Sequence, residues 1–150
     1  MNSNEKPFVL YRASAGSGKT YTLIREFLTL CFKHDDKYFK EILAVTFTNK
    51  AANEMKAKIL NNLKAIINNE VAASDLINDL ENETKLQYED IRDKAKKLYI
   101  NIIHNYSDFN ISTIDSFVQQ VARSFAKELN LPPQYKVLLD EDELLDEIIQ

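Results

Sequence analysis

Along the chain, short unbroken apolar runs alternate with segments whose apolar residues recur every three or four positions. Phe8-Val9-Leu10-Tyr11 is the first run, Ile42-Leu43-Ala44-Val45 continuing into Thr46-Phe47 the second, and Phe109-Asn110-Ile111-Ser112-Thr113 a weaker third. Their length and their β-branched or aromatic content predict buried strands. Between and after them, Leu23, Phe27, Leu30 and Cys31 share one helical face. So do Met55, Ile59, Leu63 and Ile66, and again Val118, Val121, Phe125 and Leu129, because side chains three and four apart stack on one side of a helix. This alternation predicts an α/β fold with a parallel sheet flanked by helices. Residues 68–108 break the alternation: they are polar, contain no Gly or Pro, and carry a stripe at Ile91, Ala95, Leu98 and Ile102. We read them as a helical insertion. Pro132-Pro133 marks a break before a final acidic segment.

Composition narrows this picture without changing it. With 150 residues, 45% hydrophobic and 28% charged, the chain is expected to be one soluble globular domain or a piece of one. A single cysteine, Cys31, excludes an internal disulfide framework. The N-terminus lacks the basic start and long apolar run of an export signal, so the cytoplasm is the expected compartment, with no membrane partner. The net charge is −4, yet six acidic residues fall between Asp140 and Glu147, where no Lys or Arg occurs. The remaining body is close to neutral and offers no broad footprint for nucleic acid, so DNA binding would rest on a local site.

The only two glycines, Gly16 and Gly18, stand in "ASAGSGKT", residues 13 to 20. The stretch begins where the first apolar run ends and leads into a helical pattern, the context of a phosphate-binding loop. There, successive amides and a helix N-terminus face an anion. Ala13, Ser14, Ala15, Gly16, Ser17 and Gly18 would form the cradle, the glycines supplying backbone angles and close approach that a Cβ would obstruct. Lys19 would reach the β and γ phosphates, and the Thr20 hydroxyl would ligate Mg²⁺. Ala13 occupies the place of the first glycine in G-x-x-x-x-G-K-[ST]. The structural alternative is a strand-to-helix turn with an exposed lysine.

"ASAGSGKT" resembles the first motif of superfamily 1 DNA helicases of the UvrD/Rep type, in which alanine commonly fills that place. "LAVTFTNKAANEMKAKI", residues 43 to 59, is similar to the family's motif Ia, and "ISTIDSF", residues 111 to 117, to its motif Ic. The short N-terminus and the long insertion between Ia and Ic resemble the RecB/AddA helicase-nuclease branch. The resemblance implies a P-loop NTPase of RecA-like fold, here a partial first motor domain. Residues 1–67 would hold the P-loop and motif Ia, 68–108 the insertion, 109–131 the motif Ic strand and helix, and 132–150 an acidic lead into a further helical subdomain. Also implied are ATP and Mg²⁺ as cofactors, single-stranded DNA and the second RecA-like lobe as partners, and a partner protein of the nuclease-helicase kind.

Motif Ia has chemistry suited to that role. Phe47 ends a parallel strand at the edge where open α/β sheets bind ligands, and an aromatic face there can stack on any base. Thr48, Asn49 and Lys50 can donate to backbone phosphate, Thr48 or Asn49 also capping the next helix. Residue types alone favour Phe47 as packing; the resemblance favours DNA. In motif Ic, Asp115 stands where the family has His, leaving Thr113 and Ser116 as donors, with helix capping as their structural alternative. "KVLLDEDE", residues 136 to 143, has the look of a Walker B strand, but it follows motif Ic too closely and continues as an acidic helix start.

His34 and His104 are isolated, Cys31 reads as core, and Lys94, Lys96 and Lys97 as a solvated face. The expectation is thus the ATP-binding N-terminal portion of a DNA-translocating helicase, binding nucleotide phosphate without hydrolysing it alone. A small P-loop nucleoside kinase would need clustered arginines, whereas Arg12, Arg25, Arg92 and Arg123 are scattered. A non-catalytic single-strand binder is the third reading.

Overall fold

The structure is a computed structural model, which describes residues 9–11 and 18–125. It is helix-rich, with a small parallel sheet. The described residues form two compact units, one from those up to Ile42 together with Met55–Phe109, the other from Leu43–Glu54 and Asn110–Phe125.

In the first unit, α1 (Lys19–Lys33) packs against α3 (Ser74–Thr84) and α4 (Tyr88–His104). The long helix α2 (Asn49–Ile67) contributes its portion from Met55 onward. The α2 stripe of Met55, Ile59, Leu63 and Ile66 is buried, as is the α4 stripe of Ile91, Ala95, Leu98 and Ile102. Leu76, Ile77 and Leu80 of α3 join this core. Around Phe109, which is buried, Phe27 and Phe39 pack with ring centroids 5.6 and 6.3 Å away. Such tilted and edge-on contacts suit the ring quadrupoles.

The buried face of α1 differs from the one expected. Ile24, Phe27, Leu28 and Cys31 are buried, while Leu23 and Leu30 are exposed. The i, i+3, i+4, i+7 set that meets α3 and α4 starts at Ile24, and the two leucines, seven residues apart, lie at its border. At its far end α1 is closed by α4: Lys94 Nζ donates to the His34 carbonyl at 3.1 Å, satisfying an acceptor that the helix leaves open. Arg92 Nε donates likewise to the Ile67 carbonyl that ends α2, at 3.0 Å.

In the second unit, β1 (Ala44–Thr46) pairs in parallel with β2 (Ile111–Thr113), Ala44 opposite Ile111 and Thr46 opposite Thr113. Parallel pairing requires a crossover, here the whole stretch 47–110. A helix follows each strand closely: two residues separate α2 from β1, and α5 (Ile114–Phe125) begins directly after β2.

Three expectations are corrected. The first apolar run is not a strand over its described part: Val9, Leu10 and Tyr11 are exposed and join no ladder, and Phe8 lies outside the described residues. Among the described residues the sheet has two strands, so this run finds no backbone to pair with. The second run is not buried either, with Leu43 and Val45 each 47% exposed. The α5 stripe of Val118, Val121 and Phe125 is also exposed, and Leu129 lies outside the described residues. Helix α5 packs on two strands of three residues each, a surface too small to cover its apolar side. No described helix is long and apolar enough to cross a membrane.

Candidate nucleotide and nucleic-acid sites

Ala13, Ser14, Ala15, Gly16 and Ser17 lie outside the described residues; Gly18, Lys19 and Thr20 open α1. Gly18 is its N-cap, in the left-handed region at φ 81°. That is the backbone angle anticipated for a glycine here, since an L side chain is strained there. Nothing of the protein stands within 4 Å of where a Cβ would be. The first helical bond runs from the Thr22 amide to the Gly18 carbonyl at 2.9 Å. The amides before it therefore have no acceptor within the helix, and no acidic residue in the first turn offsets the positive end of the dipole. Lys19 is exposed and Thr20 half-buried at this end. For Mg²⁺, which takes one or two protein oxygens and completes its shell with phosphate and water, the hydroxyl of Thr20 is a fitting donor.

At the next residue, the Tyr21 hydroxyl donates to Asp79 Oδ2 at 2.7 Å. Arg25 faces three carboxylates, with Nη2 3.0 Å from Glu26, Nη1 3.9 Å from Asp79 and Nε 3.7 Å from Glu83. Burial and the Asp79 hydrogen bond push the Tyr21 phenol up to about 12. Pairwise spacing gave no sign of this cluster, since Tyr21 and Asp79 are 58 positions apart. Of the described arginines, Arg25 is held by carboxylates, Arg92 by the Ile67 carbonyl, and Arg123 lies on α5; Arg12 is outside the described residues.

At the sheet, the parallel register puts residues 47–50 and 114–116 beyond the same end of β1 and β2. Phe47 is 90% exposed, so it is not a core residue of this structure. Thr48 caps α2, its hydroxyl oxygen accepting the Ala51 amide at 3.1 Å, and Thr46 Oγ1 donates to the Thr48 carbonyl at 3.0 Å. Asn49 and Lys50 are exposed in the first turn, Lys50 with Glu54 4.0 Å away. Thr113 is buried and caps α5: its Oγ1 accepts the Ser116 amide at 3.1 Å and donates to the Ser116 hydroxyl at 2.8 Å. Ser116 is exposed and begins a polar strip with Gln119, Gln120, Arg123 and Ser124, which the apolar periodicity of α5 had obscured.

The remaining candidates fall into structural places. Burial pushes the Cys31 thiol up to about 12, which keeps it protonated and inert at neutral pH. His34 stacks on Tyr38 with centroids 4.0 Å apart, and His104 ends α4. Among the described residues no three His, Cys, Asp or Glu are grouped to hold a metal. The acidic stretch 136–143 lies outside the described residues.

The profile of the UvrD/REP helicase N-terminal domain matches residues 1–150. The chain is similar to an ATP-dependent helicase/nuclease subunit of Lactobacillus acidophilus, 34% identical over 134 residues, which is 89% of this chain and 9% of the relative. The corresponding helicase/nuclease protein of Natranaerobius thermophilus is 32% identical over 135 residues, again 89% and 9%, and that of Lacticaseibacillus casei 34% over 136 residues, 90% and 10%. The chain therefore spans about a tenth of the length of these curated relatives. No solved structure matches it significantly. The chain belongs to the UvrD/REP helicase N-terminal domain family.

Proposed function

We propose that the chain is the N-terminal, ATP-binding portion of an ATP-dependent DNA helicase that couples hydrolysis to translocation on single-stranded DNA in repair or recombination. In this reading its fold is part of a RecA-like P-loop domain. Residues 1–67 carry the P-loop and motif Ia, 68–108 are an insertion, 109–131 carry motif Ic, and 132–150 lead onward. Residues 13–18 cradle nucleotide phosphate, Lys19 neutralises the β and γ phosphates, and the Thr20 hydroxyl holds Mg²⁺. The cation, when bound, screens phosphate charge. Beyond the sheet, Phe47 stacks on a base, while Asn49, Lys50 and Ser116 meet the backbone; Thr48 and Thr113 act chiefly by capping the helices that present them. Partners are single-stranded DNA, the rest of the helicase chain with its second RecA-like lobe, and a second protein of the nuclease-helicase kind, in the cytoplasm. Alone the chain binds nucleotide without turning it over, because the water-positioning residues and the arginines of a second lobe have no counterpart in it.

The observation that carries this reading is the exposure of Phe47. A large aromatic ring 90% open to solvent, beyond the end of a parallel pair, is not taken up by packing among the described residues. Base stacking accounts for it, at roughly 1–3 kcal/mol per base and without sequence preference. The test is a fluorescence titration of a labelled oligothymidine with the wild-type chain and Phe47→Ala. Weak binding that the substitution reduces is expected; unchanged affinity would rule the platform out.

A further inference from the structure

The Tyr21–Asp79 and Arg25 contacts tie the first turns of α1 to the helix α3 of the segment 68–108. Two observations give this tie a direction. First, Tyr21 directly follows Thr20, and its hydroxyl reaches Asp79 Oδ2 at 2.7 Å. The same Oδ2 stands 3.9 Å from Arg25 Nη1, so a single carboxylate engages the first two turns of α1. Second, the Tyr11 hydroxyl donates to Glu26 Oε1 at 3.0 Å, and Arg25 Nη2 donates to that same oxygen at 3.0 Å. Tyr11 precedes residues 12–20 and Tyr21 follows them, and one polar network touches both. Arg25 holds it together, its charge reinforced by Glu26, Glu83 and Asp79.

We propose that Tyr21, Arg25 and Asp79 are positioning residues for nucleotide, through which α3 fixes the orientation of the α1 N-terminus and hence of Lys19 and Thr20. The proposal rests on the phosphate-binding role of that N-terminus. A phosphate site made of amides, one ammonium and one hydroxyl gains from being held before the ligand arrives, because ordering it on binding subtracts from affinity. The segment between α2 and α4 therefore acts as a brace on the nucleotide site. Its apolar stripe serves folding, while the acidic residues of α3 that face α1, Asp79 and Glu83, serve binding.

Calorimetric titration of the chain with Mg-ADP tests this, using Asp79→Ala, Tyr21→Phe, the double variant, and Asp79→Glu. Each single substitution is expected to weaken binding by about threefold to tenfold, and the double by no more than the worse single, because both remove one contact. Asp79→Glu keeps a carboxylate acceptor and is expected to restore most of the affinity. The control is Asp108→Asn, which removes the Lys40–Asp108 ion pair of 2.7 Å in the same unit and should leave affinity unchanged. Wild-type affinity in Asp79→Ala, or losses matched by Asp108→Asn, would overturn the brace. A separate arm with Lys19→Ala reports on the phosphate site itself: binding that survives this change defeats the loop assignment, and the brace with it. Loss with Lys19→Ala but none with Asp79→Ala defeats the brace alone.

Discussion

Thr48 Oγ1 accepts the Ala51 amide at 3.1 Å, so the residue next to the exposed ring of Phe47 is the cap that starts α2. The ring is presented by a fixed backbone rather than by a loose loop. Thr48→Ala is expected to cost about 1 kcal/mol of stability, the usual worth of a threonine cap. Asn49→Ala, with no such bond in the structure, should cost less. Urea denaturation of both variants measures the difference; equal losses would mean the cap is not Thr48.

Nucleotide binding should depend on Lys19 without the fold doing so. Lys19 is exposed, so Lys19→Ala is expected to leave the melting temperature within a few degrees of wild type, while affinity for Mg-ADP falls at least about tenfold, the scale of a lost charge-assisted contact to phosphate. A paired melt and titration reads both.

Hydrolysis by the chain alone should stay near background. Each charge-stabilising or water-positioning group missing from it ordinarily supplies orders of magnitude of rate. Robust phosphate release, abolished by Glu141→Gln, would make the stretch 136–143 a functional acidic motif.

Cys31 gives a pH prediction with a definite sign. Its folded thiol is pushed by burial from 9.0 up to about 12, so the folded state holds the proton more tightly than the unfolded one. The associated stability is present in full below the unfolded value and is lost as pH rises from about 9 toward 12. Denaturant midpoints should fall across that window in wild type and fall less in Cys31→Ala. At neutral pH the thiol should resist disulfide reagents until the chain unfolds.

How much of this was legible in the sequence differs element by element. The stripes of α2 and α4 are complete in the apolar pattern because each helix buries one whole face. On α1 the pattern is ambiguous by one residue: leucines at 23 and 30 border the buried face, and periodicity cannot say which side the neighbours occupy. For α5 periodicity is correct about the helix and wrong about burial, since it reports amphipathicity and not whether a partner is there to cover it. At the candidate sites, Gly18 and the position of Phe47 at a strand end follow from motif and order. The exposure of Phe47 does not follow from residue type, which argues for packing; the motif resemblance argues for DNA contact instead, and the short sheet leaves the ring exposed. The Tyr21–Asp79 bond joins helices 58 positions apart, which no local spacing could signal.

Phe47 is, on this reading, a binding platform and not a core residue, and everything proposed for DNA depends on it. Its direct test is one experiment on Phe47→Ala, a thermal melt beside a single-strand titration. An exposed ring predicts a stability change within about 0.5 kcal/mol together with a loss of roughly 1–3 kcal/mol in affinity for single-stranded DNA. A large drop in melting temperature with unchanged DNA affinity would contradict the platform and make Phe47 a packing residue.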